Sequence, residues 1–286
     1  MNGSVLVAAN GAFDTASAIS TLIRHEIAGL TETAAPEGTH RRIVELDGAP
    51  VGLTLRFRPD GVLVSTDDDD ADPASIEALV RHWFDLDTDV EPIDLRLGAG
   101  GRLVEQVRSR PGIRVTRHPD AWEGAVLTVL GQQVSLRAAR TFGARLVAAY
   151  GEAGDGLFRF PAAARVADEP VDRLRETLAI TGSRAETIHQ VAALFAEGAG
   201  FDPAELAGLR GIGPWTIACL SIRAGTERDE FPASDAVLRR ALDGVSPEEA
   251  DRIALGWKPF RSYAAVRLWT SAVGLGQGTR ARRARN

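Results

Sequence analysis

The chain of 286 residues has one cysteine, Cys219, and one lysine, Lys258. A lone thiol excludes any internal disulfide and any iron–sulfur cluster held by four cysteines. Five scattered histidines beside that cysteine give no zinc-ligand spacing either. With one lysine, chemistry through a side-chain amine has a single candidate. No apolar run reaches the ~18 residues of a membrane span, and Met1–Ala9 lacks the basic start of a secretory signal. These absences point to the reducing cytoplasm and away from a membrane.

Cations of a second kind are abundant. Arginine supplies every basic side chain except Lys258, and the net charge is −6. The charge is uneven. Residues 1–112 hold 10 arginines against 19 carboxylates, and the remainder holds 23 basic against 20 acidic residues. A polyanionic partner should therefore meet the second part of the chain. The apolar fraction of 44% is that of a globular protein with enough length for two or three cores.

Residues 1–112 read as an α+β subdomain, an antiparallel sheet with two helices. Ser4–Ala8, Arg41–Leu46, Val51–Phe57 and Val62–Ser65 are strand-like. Asp47-Gly48 and Pro59-Asp60-Gly61 supply the turns. Phe13–Ala28, with Asp14 as cap, and Pro73–Phe84 have helical apolar spacing. Phe13, Trp83 and Trp257 read as core aromatics. Asp67–Asp70 lacks calcium-loop spacing and reads as a solvated loop. From Asp120 the pattern is helical almost throughout, with Gln132-Gln133 opening a helix after Gly131. The divisions are 113–230, 231–278 and a basic, unstructured tail at 279–286.

The most informative stretch is LRGIGPWTIACLSIRAGTERDEFPASD, Leu209 to Asp235. Gly211 and Gly213 form a tight turn in which a Cβ would be unwelcome. Pro214 suits the first turn of the next helix, whose free N–H groups attract a phosphate without any basic side chain. A glycine turn before a helix also serves as a plain packing corner. What distinguishes this one is Asp235, which follows Pro232 and Ser234 at a helix start. That position favours an ionised carboxylate, though a helix-capping aspartate needs no further role.

This arrangement resembles the helix-hairpin-helix DNA glycosylase superfamily. PGIRVTRHPDAWEGAVLTVLGQQVS, FPASDAVLRRAL and WKPFRSYAAVRLW narrow the resemblance to 3-methyladenine DNA glycosylase II, the AlkA type. The resemblance implies a two-lobed helical glycosylase region after the α+β subdomain. It implies that Asp235 is the catalytic group, with Trp215, Trp269 and Cys219 in the base pocket. Cys219 stands where a tyrosine is usual. Gly211, Gly213, Thr216, Gln132 and Gln133 would contact duplex DNA; the AlkA type has an apolar wedge at the last of these, and Gln133, polar like the wedge of other branches of the superfamily, could fill the space left by a flipped base. Arg240 and Arg261 are further candidates for phosphate contact. Trp215 occupies the position of the Schiff-base lysine of strand-cleaving relatives, so a monofunctional hydrolase of alkylated purines is expected. No cofactor is required; a sodium or potassium ion could rest on the backbone carbonyls of Leu209 and Gly211. The partner would be damaged double-stranded DNA, bound by a monomer at the nucleoid. Two other readings stay open: a noncatalytic hairpin DNA-binding protein, and a glycosylase for oxidised or deaminated bases.

Overall fold

The computed structural model describes the backbone of residues 4–283 and the side chains of residues 4–272. The first unit runs β1 (Val5–Ala8), α1 (Thr15–Arg24), β2 (Thr31–Ala34), β3 (Thr39–Leu46), β4 (Ala49–Arg58), β5 (Gly61–Ser65) and α2 (Pro73–Phe84). Its five strands form an antiparallel sheet in the order β1-β5-β4-β3-β2. β3 and β4 close on Asp47-Gly48 with Leu46 opposite Ala49, and both turn residues have positive φ, as this tight hairpin requires. Alternation along β4 buries Val51, Leu53, Leu55 and Phe57 on one face. Phe13, Ala18 and Leu22 around α1 and Val80, Trp83 and Phe84 of α2 share that core. Asp14 caps α1, accepting from Ser17 N at 2.9 Å.

The helical region follows as α3 (Glu91–Gly98), α4 (Val104–Ser109), α5 (Ala121–Gly131) and α6 (Leu136–Tyr150). After a small hairpin, β6 (Glu152–Gly154) and β7 (Leu157–Arg159), come α7 (Ala163–Ala167), α8 (Val171–Leu178) and α9 (Gly182–Ala196). The chain ends with α10 (Pro203–Ala207), α11 (Pro214–Arg223), α12 (Ala236–Ala241), α13 (Pro247–Ala254) and α14 (Arg261–Arg283). β2, the small hairpin, α3 and α4 carry no readable periodicity. They are short, and β2 is a polar edge strand. The pair Gln132-Gln133 ends one helix instead of opening the next. α5 stops at Gly131, and Ser135 caps α6 by accepting from Ala138 N. The expected tail at 279–286 begins within the run of α14; its side chains, and all of residues 284–286, lie outside the described residues.

The helices pack into two cores. One packs α5, α6, α8 and α9 with Leu220 of α11 and Ala224 just after it. The other packs α12, α13 and α14 with Cys219 and Ile222, and it also takes in Ile93, Leu97 and Leu103 from before residue 112. α11 therefore contributes to both. Charged side chains lock the sheet unit onto these lobes. Arg42 of β3 is bidentate to Glu123 of α5, at 3.2 and 2.5 Å, with both side chains buried. Asp85 accepts from Arg117 at 3.0 Å and from Tyr263 of α14 at 2.7 Å. Asp94 pairs with Arg267, and Asp14 with Arg110.

His40 lies in the same buried layer. Its Nδ1 meets Thr33 Oγ1 at 2.9 Å, while Nε2 has no partner. Burial, reinforced by the Arg42 charge, pulls its pKa down to about 3 from 6.5, against the opposing pull of Glu123. The unfolded chain binds this proton below about 6.5 and the folded one only near 3, so stability should fall as pH drops through that window. His40→Gln should remove about one proton from the linkage, flattening the slope by about 1.4 kcal/mol per pH unit. Urea unfolding at pH 7, 6 and 5 measures this. An unchanged slope would mean that His40 titrates normally in the fold.

Candidate active site

The hairpin joins α10 to α11. Gly211 has φ 89, and a Cβ there would meet Thr187 Oγ1 at 2.2 Å. Thr187 of α9 is placed in turn by two carbonyls that compete for its one hydroxyl proton, Arg210 O at 3.0 Å and Ser183 O at 2.9 Å. Gly213 differs. Its φ of −106 is ordinary, and a Cβ would meet nothing within 4 Å. The fold itself needs a glycine at 211 and not at 213.

Gln132, at the end of α5, braces the hairpin from the other side. Its Nε2 donates to Gly211 O at 2.9 Å and to Thr216 Oγ1 at 3.0 Å. Arg184 donates to Gln132 O at 2.6 Å. The Thr216 hydroxyl is therefore buried and engaged. The N–H groups of Gly213, Trp215 and Thr216 meet no acceptor among the described residues. They form the unsatisfied first turn of α11, an anion-attracting end. Next to this turn Gln133 is exposed and held at φ 52, a conformation uncommon for a residue with a side chain. Leu209 O accepts from Ile212 N at 3.2 Å, so each carbonyl considered for an alkali ion already accepts one N–H.

Asp235 is the N-cap of α12 and 9% exposed. Oδ1 accepts from Val237 N and Leu238 N, both at 2.9 Å, and from Trp269 Nε1 at 3.2 Å. Oδ2 accepts from Trp215 Nε1 alone, at 3.0 Å. All four partners are donors, so the environment matches a carboxylate that accepts and does not donate. Oδ1 is saturated; Oδ2 keeps a lone pair free.

Trp215, Cys219 and Arg223 follow at intervals of four along α11 and share one face. Trp215 and Cys219 had a role in the sequence reading; Arg223 did not, although this spacing points to it. Its guanidinium lies over the Trp269 ring, 5.1 Å from the centroid. Burial lowers its pKa to about 10. Cys219 is buried, and burial followed by the Asp235 charge pushes its thiol far up, so it stays protonated and inert. From α1, Arg24 donates to Trp269 O at 3.1 Å, and Ser17 Oγ lies 3.4 Å from Thr270 Oγ1. Thr21, Arg24 and His25 line a crevice with Arg223 and Trp269. The end of α1 thus reaches Trp269 and Arg223, a placement with no local sequence signal.

Other candidates lie apart from this arrangement. Arg261 is spent on Asp229, at 2.8 Å, and ties the 228–230 loop to α14. Arg240 is exposed on α12 without a side-chain partner among the described residues. Lys258 is exposed in the turn before α14, where its carbonyl accepts from Arg96. No group of three or more His, Cys, Asp or Glu among the described residues is arranged to hold a metal ion. No described helix is long and apolar enough to cross a membrane.

The glycine hairpin and the capped, indole-held carboxylate both lie in the part of the chain that matches the helix-hairpin-helix class of base-excision repair proteins. Residues 126–252 match the model of the HhH-GPD superfamily base excision DNA repair protein, and residues 8–121 match the AlkA N-terminal domain. Within that class the chain belongs to the AlkA-type DNA-3-methyladenine glycosylase family. It is 31% identical over 214 residues to DNA-3-methyladenine glycosylase 2 of Escherichia coli, covering 69% of this chain and 73% of that one. It is 36% identical over 268 residues to a probable bifunctional transcriptional activator/DNA repair enzyme AlkA of Mycobacterium tuberculosis, covering 85% of this chain. The chain spans about half (53%) of that mycobacterial relative. In fold it is similar to a 3-methyladenine DNA glycosylase from Archaeoglobus fulgidus, with a TM-score of 0.80 at 19% identity over 94% of this chain and 98% of that one.

The contrast between the two glycines is testable by thermal and urea unfolding. Gly211→Ala should cost about 2 kcal/mol or more, because the positive φ and the Thr187 contact act together. Gly213→Ala should cost about 1 kcal/mol at most, the difference between glycine and alanine at an N-cap. Equal losses would mean that the hairpin relaxes around residue 211.

Proposed function

We propose that the protein is a monofunctional DNA glycosylase that flips alkylated purines out of duplex DNA and removes them by hydrolysis. The observation that carries this is Asp235, a nearly buried carboxylate with one oxygen saturated and the other keeping a lone pair free, beside an open helix start. Breaking the bond from C1′ to the purine leaves the electron pair with the base and positive charge on the sugar. Asp235 Oδ2 stabilises that charge and orients the water that attacks C1′; the proton this water loses passes to solvent. A purine methylated at N3 or N7 carries a positive charge and leaves as a neutral base, so no proton donor is required. Trp215, half-buried beside Asp235, offers an indole to such a cation.

The free N–H groups of Gly213, Trp215 and Thr216 receive a backbone phosphate, and Gln133 enters the duplex at the vacated position. The carbonyls of Leu209 and Gly211 each keep one lone pair and suit an alkali ion, which would brace the hairpin electrostatically. One chain supplies hairpin, wedge and carboxylate, which supports action as a monomer on DNA in the cytoplasm. A second reading, excision of uncharged oxidised or deaminated bases, draws support from Arg223, whose cation covers one face of Trp269. Base release from duplexes carrying 7-methylguanine, 3-methyladenine, hypoxanthine or 8-oxoguanine separates the two readings.

Asp235→Asn should lower single-turnover base release by about 10²- to 10³-fold while DNA binding persists. Wild-type rates in that variant would remove Asp235 from the chemistry. Gly213→Asp makes the hairpin test sharper. An aspartate at this N-cap should hold the melting temperature, by capping α11, while repelling phosphate. Affinity for damaged and undamaged duplexes should fall together; a stable variant with unchanged affinity would place the DNA elsewhere.

The product should be an intact strand with an abasic site. Borohydride traps only an imine, and the one lysine lies in the turn before α14. No protein–DNA adduct should form during turnover. An adduct lost with Lys258→Ala would show that the enzyme also cuts the strand.

A further inference from the structure

We propose that Trp215 and Trp269 act on the reaction through Asp235, as positioning residues whose indole N–H groups aim the carboxylate. The inference rests on the reading of Asp235 given above and assigns the two tryptophans a role distinct from stacking on a base. Each oxygen of Asp235 receives one indole: Trp269 Nε1 on Oδ1 at 3.2 Å, and Trp215 Nε1 on Oδ2 at 3.0 Å. The two oxygens of a carboxylate are coplanar and turn together about the Cβ–Cγ bond, so donors on either oxygen fix the same angle. The backbone N–H groups of Val237 and Leu238 approach Oδ1 alone. Trp215 is the single donor on Oδ2 and holds that angle from the other side, at the oxygen with a lone pair to spare.

Trp269 suits support more than recognition. It is 8% exposed, and the Arg223 guanidinium already occupies a face of its ring. A second cation on that face would meet the charge of Arg223, so the capacity of that face for a cationic purine is spent. Arg24 fixes the backbone of the same residue through its carbonyl. A chain of contacts thus runs from α1 and α11 through one indole to the carboxylate. It gives the N-terminal unit a part in the geometry of Asp235 without contact with the reacting atoms.

Phenylalanine keeps the flat ring and removes the N–H, so Trp215→Phe and Trp269→Phe separate aiming from stacking. Each should lower the single-turnover rate on 7-methylguanine duplex by about 10-fold, the loss of one hydrogen bond to a charged group. Affinity for a duplex with a stable abasic analogue should not change. In an Asp235→Asn background the same substitutions should cost less than about 2-fold, because the group they aim is gone. A full additional loss in that background would make the tryptophans independent platforms and overturn the proposal.

A second readout is independent of activity. The protein has five tryptophans. In a protein labelled with 15N at the indole, Asp235→Asn should shift the two N–H resonances that vanish in Trp215→Phe and Trp269→Phe. Those of Trp83, Trp122 and Trp257 should stay in place. Unmoved resonances for Trp215 and Trp269 would show that their N–H groups do not reach the carboxylate. A wild-type rate for Asp235→Asn would instead overturn the catalytic reading and leave the resonance test standing.

Discussion

The structure depends on keeping one anion nearly buried and still pointed outward. A carboxylate removed from water is tolerated only when donors replace its hydration. Asp235 finds four, from its own helix, from α11 and from α14. Those elements converge on one carboxylate, and their positions are coupled through it. α11 is the pivotal element because it does three things. It opens the hairpin at its N-terminus, supplies Trp215 to the carboxylate, and packs into both helical cores.

The arginines show how a composition can mislead. An excess of basic residues after position 112 suggests a surface for a polyanion. Several of those arginines are instead buried against carboxylates or carbonyls of the N-terminal unit. Arg114, for example, donates to carbonyls of Asn10, Ala12, Asp85 and Thr88. Such contacts offset a large desolvation cost and contribute little net stability. What they supply is register, since a guanidinium fork accepts few geometries. The sheet unit is docked in one orientation, and that orientation carries the end of α1 to Trp269.

The two glycines of the hairpin illustrate different constraints behind one motif. Gly211 answers to the protein, through its backbone angle and Thr187. Gly213 is under neither constraint: its φ is ordinary, and a Cβ there would meet nothing within 4 Å.

Local patterns in the sequence were sufficient for the sheet turns at Asp47-Gly48, the caps at Asp14 and Asp235, the hairpin at Gly211 and the burial of Phe13, Trp83 and Trp257. Each depends on backbone angles or periodicity within a few residues, and these are properties of neighbours along the chain. Short or polar elements such as β2 and α3 were not legible, because their stability comes from what they pack against. The ending of α5 at Gly131 was also hidden, since Gln132 stops there to reach Gly211 O, 79 residues away. Trp215 and Trp269 could be marked as site residues by motif, but their grip on Asp235 could not. Neither could Arg24, which meets Trp269 across 245 residues. Hydrogen bonds to a buried carboxylate depend on direction to within tens of degrees, and only the packed tertiary structure fixes direction between residues so far apart in sequence.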